Sequence, residues 1–298
     1  MTTASETSFP AIAFLGTGIM GLPMALRLCE AGYAPQVWNR TARKAAPLAA
    51  LGAAVHEYAD VAVASADIVI SMLESGPAVK DVLFAHGVAT AMKPGALFLD
   101  MASIQPRESR DHAARLGALG IAHLDAPVSG GPGGAESGTL AIMAGGKADD
   151  FARALPVLNH FGRATHVGPH GSGQLAKLAN QMIVGITIGA VAEALLFTSR
   201  GGADMAKVRE AITGGFADSR VLQLHGQRML ERDFAPRARM DIQLKDMRNA
   251  LATAQEIGFE APITALFEQL YAEGVDHGLT DLDQSALFVE LASRNGMS

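Results

Sequence analysis

Short apolar runs alternate with amphipathic stretches through the first half of the chain, and helical periodicity alone fills the second. Ile12-Ala13-Phe14-Leu15 has the length and composition of a strand buried on both faces. A helix pattern follows through Met24, Ala25, Leu28 and Ala31 to Gly32, and Gln36-Val37-Trp38 reads as a second strand. A helix over about 42–51 and a weak strand at 53–56 come next, then strands from Asp67 to Leu73 and from Gly95 to Asp100. His123 to Val128 enters a glycine-rich loop, Ser129-Gly130-Gly131-Pro132-Gly133-Gly134, after which no helix is expected. Leu140 to Ala144 reads as a strand, 149–160 as a helix and Thr165-His166-Val167 as a last strand. Such alternation predicts a parallel sheet covered by helices.

Beyond Pro169 the pattern predicts no strand. Helices are expected at about 174–200, 204–213, 219–231, 240–257, 262–273 and 281–294. The expected architecture is an α/β Rossmann domain over 1–170, followed by an all-α helical domain over 171–298. The helix at 174–200 is apolar nearly all round, so it is expected to be buried between domains or between subunits.

Composition narrows the class. The chain has 298 residues, 49% of them apolar and 18% charged, which suits a globular enzyme of about two domains. A formal charge of −6 speaks against nucleic acid as the main partner, and a small anionic ligand then needs its own local positive site. Cys29 is the only cysteine, so no internal disulfide can form and a reducing compartment fits. The first eight residues lack the basic start and apolar run of a signal peptide. The charge-free run from Leu178 to Ala192 falls short of the roughly 20 residues that span a bilayer. The expectation is a cytoplasmic protein with no membrane partner.

Gly16-Thr17-Gly18-Ile19-Met20-Gly21 stands between the first strand and its helix. In that setting Gly16 permits the tight turn, Gly18 lets the backbone approach a pyrophosphate, and Gly21 lets helix and sheet pack closely. Free N–H groups at the start of the helix then face the phosphates. The second strand ends in Asn39-Arg40-Thr41, where an NAD site usually carries an acid for the ribose hydroxyls. A guanidinium there suits the 2′-phosphate of NADP, so NADP (NADPH) is favoured and NAD stays possible. Ser103 follows another strand end, placed to touch the nicotinamide half or simply to cap a helix. Ser129 with the amides of Gly130 and Gly131 reads either as a carboxylate-binding concavity or as a flexible turn.

Gly171-Ser172-Gly173 opens the long helix, and Lys177 sits one turn inside it, with Asn180 and Gln181 three and four residues on. Those offsets put the three side chains on one helical face, where a cation beside two amides can hold and protonate an oxygen. A solvated surface lysine would have the same sequence. Lys245 and Asp246 interrupt an apolar segment of a later helix, which points to a specific partner for each or to a solvated face. His166 and His170 lack the neighbouring acid of a zinc helix, so no metal is expected. Ser129 does not sit in a nucleophile elbow.

Together these motifs resemble the β-hydroxyacid dehydrogenase family over almost the whole chain, from Ile12 to about Leu291. Four ordered markers carry the likeness: Gly16 to Gly21, Asp125 to Gly131, Gly171-Ser172-Gly173 with Lys177, and Lys245-Asp246. The resemblance implies Lys177 as the catalytic residue, and Ser129, Gly130 and Gly131 as holders of the substrate carboxylate. It implies cofactor contacts at the first glycine loop, Met72, Leu73, Ser103 and Lys245. Asn180 or Gln181 would orient the reacting oxygen. It implies hydride transfer between NADP(H) and a short 3-hydroxy or 3-oxo acid such as tartronate semialdehyde or 3-hydroxyisobutyrate. It also implies a homo-oligomer, dimer or tetramer, with the long helix in the interface. Lys177-Leu178-Ala179-Asn180-Gln181 looks like the tartronate semialdehyde reductase branch, whereas Asn39-Arg40-Thr41 looks like the NADPH-using glyoxylate/succinic semialdehyde reductases and imine reductases. Imine reduction is therefore an alternative, although imine reductases generally lack the lysine. A catalytically silent NADP-binding module is another, and it would have no use for Lys177 and the Ser129 loop together.

Overall fold

A computed structural model describes residues 9–297, and the expectation about a signal peptide concerns residues outside that range. The chain divides into two compact units, the first ending at Lys177 and the second starting at Leu178. The division falls inside one long helix.

The first unit is a mixed nine-stranded sheet. Strands β1 (Ile12–Leu15), β2 (Gln36–Trp38), β3 (Ala54–His56), β4 (Ile68–Ser71), β5 (Leu97–Asp100) and β6 (Ala122–Asp125) run parallel in the order β3-β2-β1-β4-β5-β6. Beyond β6 the sheet turns antiparallel: β8 (Leu140–Gly146) pairs with β6, with β7 (Val128–Ser129) and, in parallel, with β9 (Gly162–Gly168). The strand order reverses between β1 and β4, and the crevice beyond their carboxyl ends is where open α/β sheets bind ligands.

Alternation along each strand builds two cores, one on each face. Ile12 and Phe14 join Ile68, Ile70, Leu97 and Leu99 on one side, while Ala13 and Leu15 join Val69 and Phe98 on the other. The first face is covered in part by α1 (Gly21–Glu30), through Met24 and Leu28. Short helices α2 (Ala46–Ala49), α3 (Ala59–Val63), α4 (Gly76–Lys80) and α5 (Val88–Ala91) fill the early crossovers. Longer ones follow: α6 (Pro106–Gly117), α7 (Gly131–Ser137) and α8 (Ala148–Leu158).

Two sequence expectations change here. The helix expected over about 42–51 is a 3-10 turn, Ala42–Lys44, followed by α2, which has a proline in its first turn. The second glycine-rich loop does lead into a helix, since α7 starts at Gly131. Its glycines are poor helix formers, so propensity hides it, but Pro132 is favourable in a first turn and Ala135 packs fully buried against the sheet core.

The second unit is helical: the greater part of α9 (Ser172–Arg200), then α10 (Met205–Ile212), α11 (Arg220–Glu231), α12 (Met240–Glu256), α13 (Pro262–Gly274) and α14 (Leu287–Arg294). Its core joins Ile188, Val191, Ala192 and Leu195 of α9 to Leu244 and Met247, Tyr271, and Phe288. The expected helix over 281–294 starts late, because Asp283 caps a 3-10 turn ahead of α14. The fully buried Asp283 carboxylate also accepts from Ser285 Oγ at 2.6 Å and from the amides of Arg237 and Ala238. Burial alone would raise its pKa. The bonds from His225, Ser285 and Ala238 outweigh that and hold it well below the usual carboxylate range.

The two sides of the long helix differ in burial. Leu175, Ala179, Ile183, Ala190, Ala194 and Phe197 form one exposed apolar face within the chain. Among the described residues α9 is also long and apolar enough to cross a bilayer, which the charge-free run does not reveal; its opposite face lies in the core of the second unit.

One buried group makes the first unit sensitive to pH. Asp100, at the end of β5, accepts from Ser71 Oγ at 2.9 Å and from the Ala102 amide at 3.1 Å. Its second oxygen has no hydrogen bond and lies 4.0 Å from His112 Nδ1. Burial pushes Asp100 up to about 7, aided by the charges of Asp125 and Glu108 and opposed by its two hydrogen bonds. His112 is pushed down by burial to about 4, so it offers no compensating charge near neutrality. The folded state thus holds the Asp100 proton more tightly than the unfolded chain, where the pKa is about 3.9. This stabilisation is full below the unfolded value and is lost as pH rises through the folded one. Between about pH 5.5 and about pH 8.5 the thermal midpoint should fall by several degrees, and Asp100→Asn should flatten the decline. Equal declines in both proteins would remove Asp100 as its source.

Candidate active site

The first glycine loop is fixed by the strand ends around it. Gly16 N donates to the Trp38 carbonyl at 2.9 Å, and Met72 N to the Leu15 carbonyl at 2.8 Å, which ties β1, β2 and β4 together. Gly16 has φ +98°, and a Cβ there would lie 2.5 Å from the Met72 carbonyl oxygen and 2.9 Å from Leu73 Cδ2. Only glycine fits. A Cβ on Gly21 would run into the Gly16 carbonyl oxygen, whereas a Cβ on Gly18 would meet nothing within 4 Å. That open space beside Gly18 is where a pyrophosphate can approach, and α1 starts there with no side-chain cap and no acid in its first turn. Thr17 adds a buried hydroxyl with no hydrogen-bond partner. Ile19 is exposed on the loop and Met20 is half-buried. These features fit a dinucleotide.

At the end of β2 the Asn39 side chain is engaged by the protein itself. Its oxygen accepts from Thr17 N and its amide donates to the Thr41 carbonyl, both at 2.9 Å. Asn39 therefore fastens the glycine loop to the strand end. Arg40 is exposed beside it.

The start of α9 is built against the ends of β5 and β6. Asp125, the last residue of β6, is fully buried and accepts from Gly171 N through one oxygen and from Gln174 N through the other, both at 2.8 Å. A carboxylate on the free amides of a helix start is favoured by hydrogen bonding and by the helix dipole. Burial nevertheless pushes Asp125 up to about 6 against the bonds from Gly171 and Gln174. Gln174, also fully buried, reaches the loop after β5: its oxygen accepts from Ile104 N at 3.0 Å and its amide donates to the Ala102 carbonyl at 2.8 Å. Ser103 lies between those two anchors. Ser129 ends β7, whose backbone pairs with Ala141 of β8, and it is half-buried while Gly130 and Gly131 are exposed. Lys177 is 8% exposed, which sets aside the solvated-lysine reading. Within the first unit, then, Asp125 and Gln174 tie the Lys177 helix to the strand ends carrying Ser103 and the Ser129 loop. Neither residue stands out in the sequence. The only hint is their place inside the Asp125 to Gly131 and Gly171 to Lys177 stretches.

In the second unit the two amides after Lys177 enter a polar cluster. Asn180 Nδ2 donates to Gln181 Oε1 at 2.9 Å, and Gln181 Nε2 donates to Asp246 Oδ2 at 2.8 Å and to Gln243 Oε1 at 3.2 Å. Lys245 Nζ lies 3.2 Å from Asp246 Oδ1, so the two charges are partners, not a solvated face. Gln243 and Asp246 are buried, and Gln243 is a residue that sequence reasoning missed.

A third group is His123, Asp125 and His170 in the first unit, whose nearest ligand atoms lie within 4.8 Å of one another. Both ring nitrogens of His123 are buried without a hydrogen bond, and burial pushes this histidine down to about 3. Both Asp125 oxygens are already turned to the Gly171 and Gln174 amides.

Comparisons with known proteins agree with this geometry. Residues 11–168 match the family described as the NAD binding domain of 6-phosphogluconate dehydrogenase. Residues 171–291 match the family described as NAD-binding of NADP-dependent 3-hydroxyisobutyrate dehydrogenase. The chain is 42% identical to 2-hydroxy-3-oxopropionate reductase of Escherichia coli, over 93% of this chain and 95% of that protein. It is 36% identical to 3-hydroxyisobutyrate dehydrogenase of Pseudomonas aeruginosa, over 88% and 91%. Among solved structures, the 3-hydroxyisobutyrate dehydrogenase of Mycobacterium tuberculosis with L-serine superposes with a TM-score of 0.86 at 33% identity, covering 95% of this chain and 99% of that one. A nucleotide-cradling first unit, a helical second unit and relatives matched from end to end make this chain an NAD(P)-dependent oxidoreductase of the β-hydroxyacid dehydrogenase family.

Proposed function

We propose that the protein transfers hydride reversibly between NADP(H) and a short 3-hydroxy or 3-oxo acid, with tartronate semialdehyde as the first candidate. The observation that carries this reading is the buried Lys177 at the start of α9, a helix locked by Asp125 and Gln174 to the strand ends bearing Ser103 and the Ser129 loop. The 42% identity to a 2-hydroxy-3-oxopropionate reductase supports the choice of substrate.

A bound nicotinamide supplies or takes the hydride. In reduction, negative charge builds on the substrate's carbonyl oxygen, and the Lys177 ammonium stabilises it and donates the proton; in oxidation the neutral amine takes the alcohol proton. The amides of Gly130 and Gly131 with the Ser129 hydroxyl hold the substrate carboxylate, which fixes the reacting carbon. The open space at Gly18, together with the start of α1, would hold the pyrophosphate. Arg40 would meet the 2′-phosphate and supply the local positive charge that an anionic ligand needs on a chain of net charge −6. We read the protein as soluble and cytoplasmic. Its exposed α9 face (Leu175, Ala179, Ile183, Ala190, Ala194, Phe197) is the surface that a second copy covers, because a patch this apolar and continuous marks an interface.

Initial rates of NADPH loss with tartronate semialdehyde, with NADH in parallel, test the reading. Lys177→Ala should lower kcat by about 10²–10⁴ while NADPH binding persists. Turnover near wild type would take the lysine out of the mechanism. Arg40→Ala should raise the KM for NADPH about tenfold or more and leave that for NADH almost unchanged; equal effects on both would deny a phosphate contact. Sedimentation should find a dimer or larger assembly that Ile183→Asp dissociates, and a wild-type monomer would refute the interface.

A further inference from the structure

Of the two amides on the Lys177 face of α9, the cluster in the second unit separates one from the other. Gln181 is held from two sides by Gln243: its Nε2 donates to Gln243 Oε1 at 3.2 Å, and its main-chain carbonyl accepts from Gln243 Nε2 at 3.0 Å. Its Nε2 also donates to Asp246 Oδ2 at 2.8 Å, and its Oε1 accepts from Asn180 Nδ2. Gln243 and Asp246 are 1% and 2% exposed, so water competes with none of this from their side. The helix is cut to receive the clamp: a Cβ on Gly185 would run into Gln243 Nε2 and Met247 Cε.

The donors and acceptors in this cluster run in a definite order. Asp246 Oδ2 accepts from Gln181 Nε2, so the NH2 end of Gln181 faces Asp246. That turns Gln181 Oε1, which also only accepts, toward Asn180. Asn180 must then present its NH2 end to Gln181, which leaves Oδ1 and one remaining N–H for a group outside the cluster. Reversing any amide would set two acceptors or two donors against each other.

We infer that Gln243 and Asp246 are positioning residues that fix the polarity of the Asn180 amide, making Asn180, and not Gln181, the group that meets the substrate's reacting oxygen. The inference rests on the hydride-transfer reading and narrows it. Asn180 Oδ1 accepts from the hydroxyl of a 3-hydroxy acid, and its spare N–H serves the carbonyl of the 3-oxo acid. Gln181 transmits the constraint.

Gln243→Met keeps the bulk and removes both hydrogen bonds. It should lower kcat/KM for the acid by about 10–100-fold, with the KM for NADPH within about twofold of wild type. Gln243→Glu should be impaired at high pH and recover as pH falls, because a protonated carboxyl again donates to the Gln181 carbonyl and accepts from Gln181 Nε2. A residue that merely fills space gives no such pH-dependent rescue. If wild type turns over, Lys177→Ala does not, and Gln243→Met stays within about twofold of wild type, the positioning role is wrong and the hydride-transfer reading stands. If wild type turns over none of the acids, that reading fails, and thermal unfolding of Gln181→Met, Gln243→Met and the double variant decides the clamp. Non-additive shifts in midpoint support the linked cluster, and additive shifts overturn it.

Discussion

The pair of hydrogen bonds from Gly171 N and Gln174 N to the Asp125 carboxylate is the contact on which the candidate site depends. Asp125 ends β6, and its backbone is set by pairing with Asp100 of β5 and Gly145 of β8. Its side chain is therefore a fixed post at the edge of the parallel sheet. A helix start offers amides without intrahelical partners, and a buried carboxylate needs donors. Each satisfies the other, and the start of α9 is fixed to the sheet. Lys177 lies one turn beyond, so the position of its ammonium is inherited from the sheet. Gln174 extends the same arrangement to Ala102 and Ile104, which ties the loop after β5 to the first turn of the helix.

The cost of this design is the desolvation of several polar side chains in a small volume. Asp100, Asp125, His112 and His123 are all buried in the first unit, with both acids pushed up and both histidines pushed down. A carboxylate that accepts two main-chain amides resists protonation far better than one left with a bare oxygen. Burial is the main cause for both acids, pushing Asp125 up to about 6 and Asp100, which lacks a partner for one oxygen, up to about 7. The carboxylate that anchors the start of α9 thus has both oxygens hydrogen-bonded, whereas Asp100 has one oxygen without a hydrogen bond.

How much of this was legible in the sequence depends on the range of the interaction involved. The strands β1, β4 and β5 were readable because burial on both faces leaves an uninterrupted apolar run, and the glycine loop because Gly16 and Gly21 answer steric demands within a few residues of chain. The helix at Gly131–Ser137 was not. Its glycines argue locally against it, and what sustains it is Ala135 packed on a core assembled from distant strands. Asp125 and Gln174 lay inside recognised stretches, yet their roles come from partners far along the chain, which no local pattern encodes. Composition identified α9 as apolar all round but said nothing of which face its own unit would cover. Ile188 and Leu195 turn inward while Ile183 and Phe197 do not.

The amides after Lys177 show the same limit at the level of single atoms. Spacing places Asn180 and Gln181 on one face of the helix, and by residue type either is able to bind an oxygen. What distinguishes them is a carboxylate on another helix. Asp246 Oδ2 accepts from Gln181 Nε2, which sets the direction of the linked amides, and the direction ends at Asn180. Gly185 belongs to the same logic, since the missing side chain on α9 is the space that Gln243 occupies. A glycine in mid-helix costs about 1 kcal/mol relative to alanine. That cost is offset where the space it leaves admits Gln243, whose two hydrogen bonds to Gln181 tie α12 to α9.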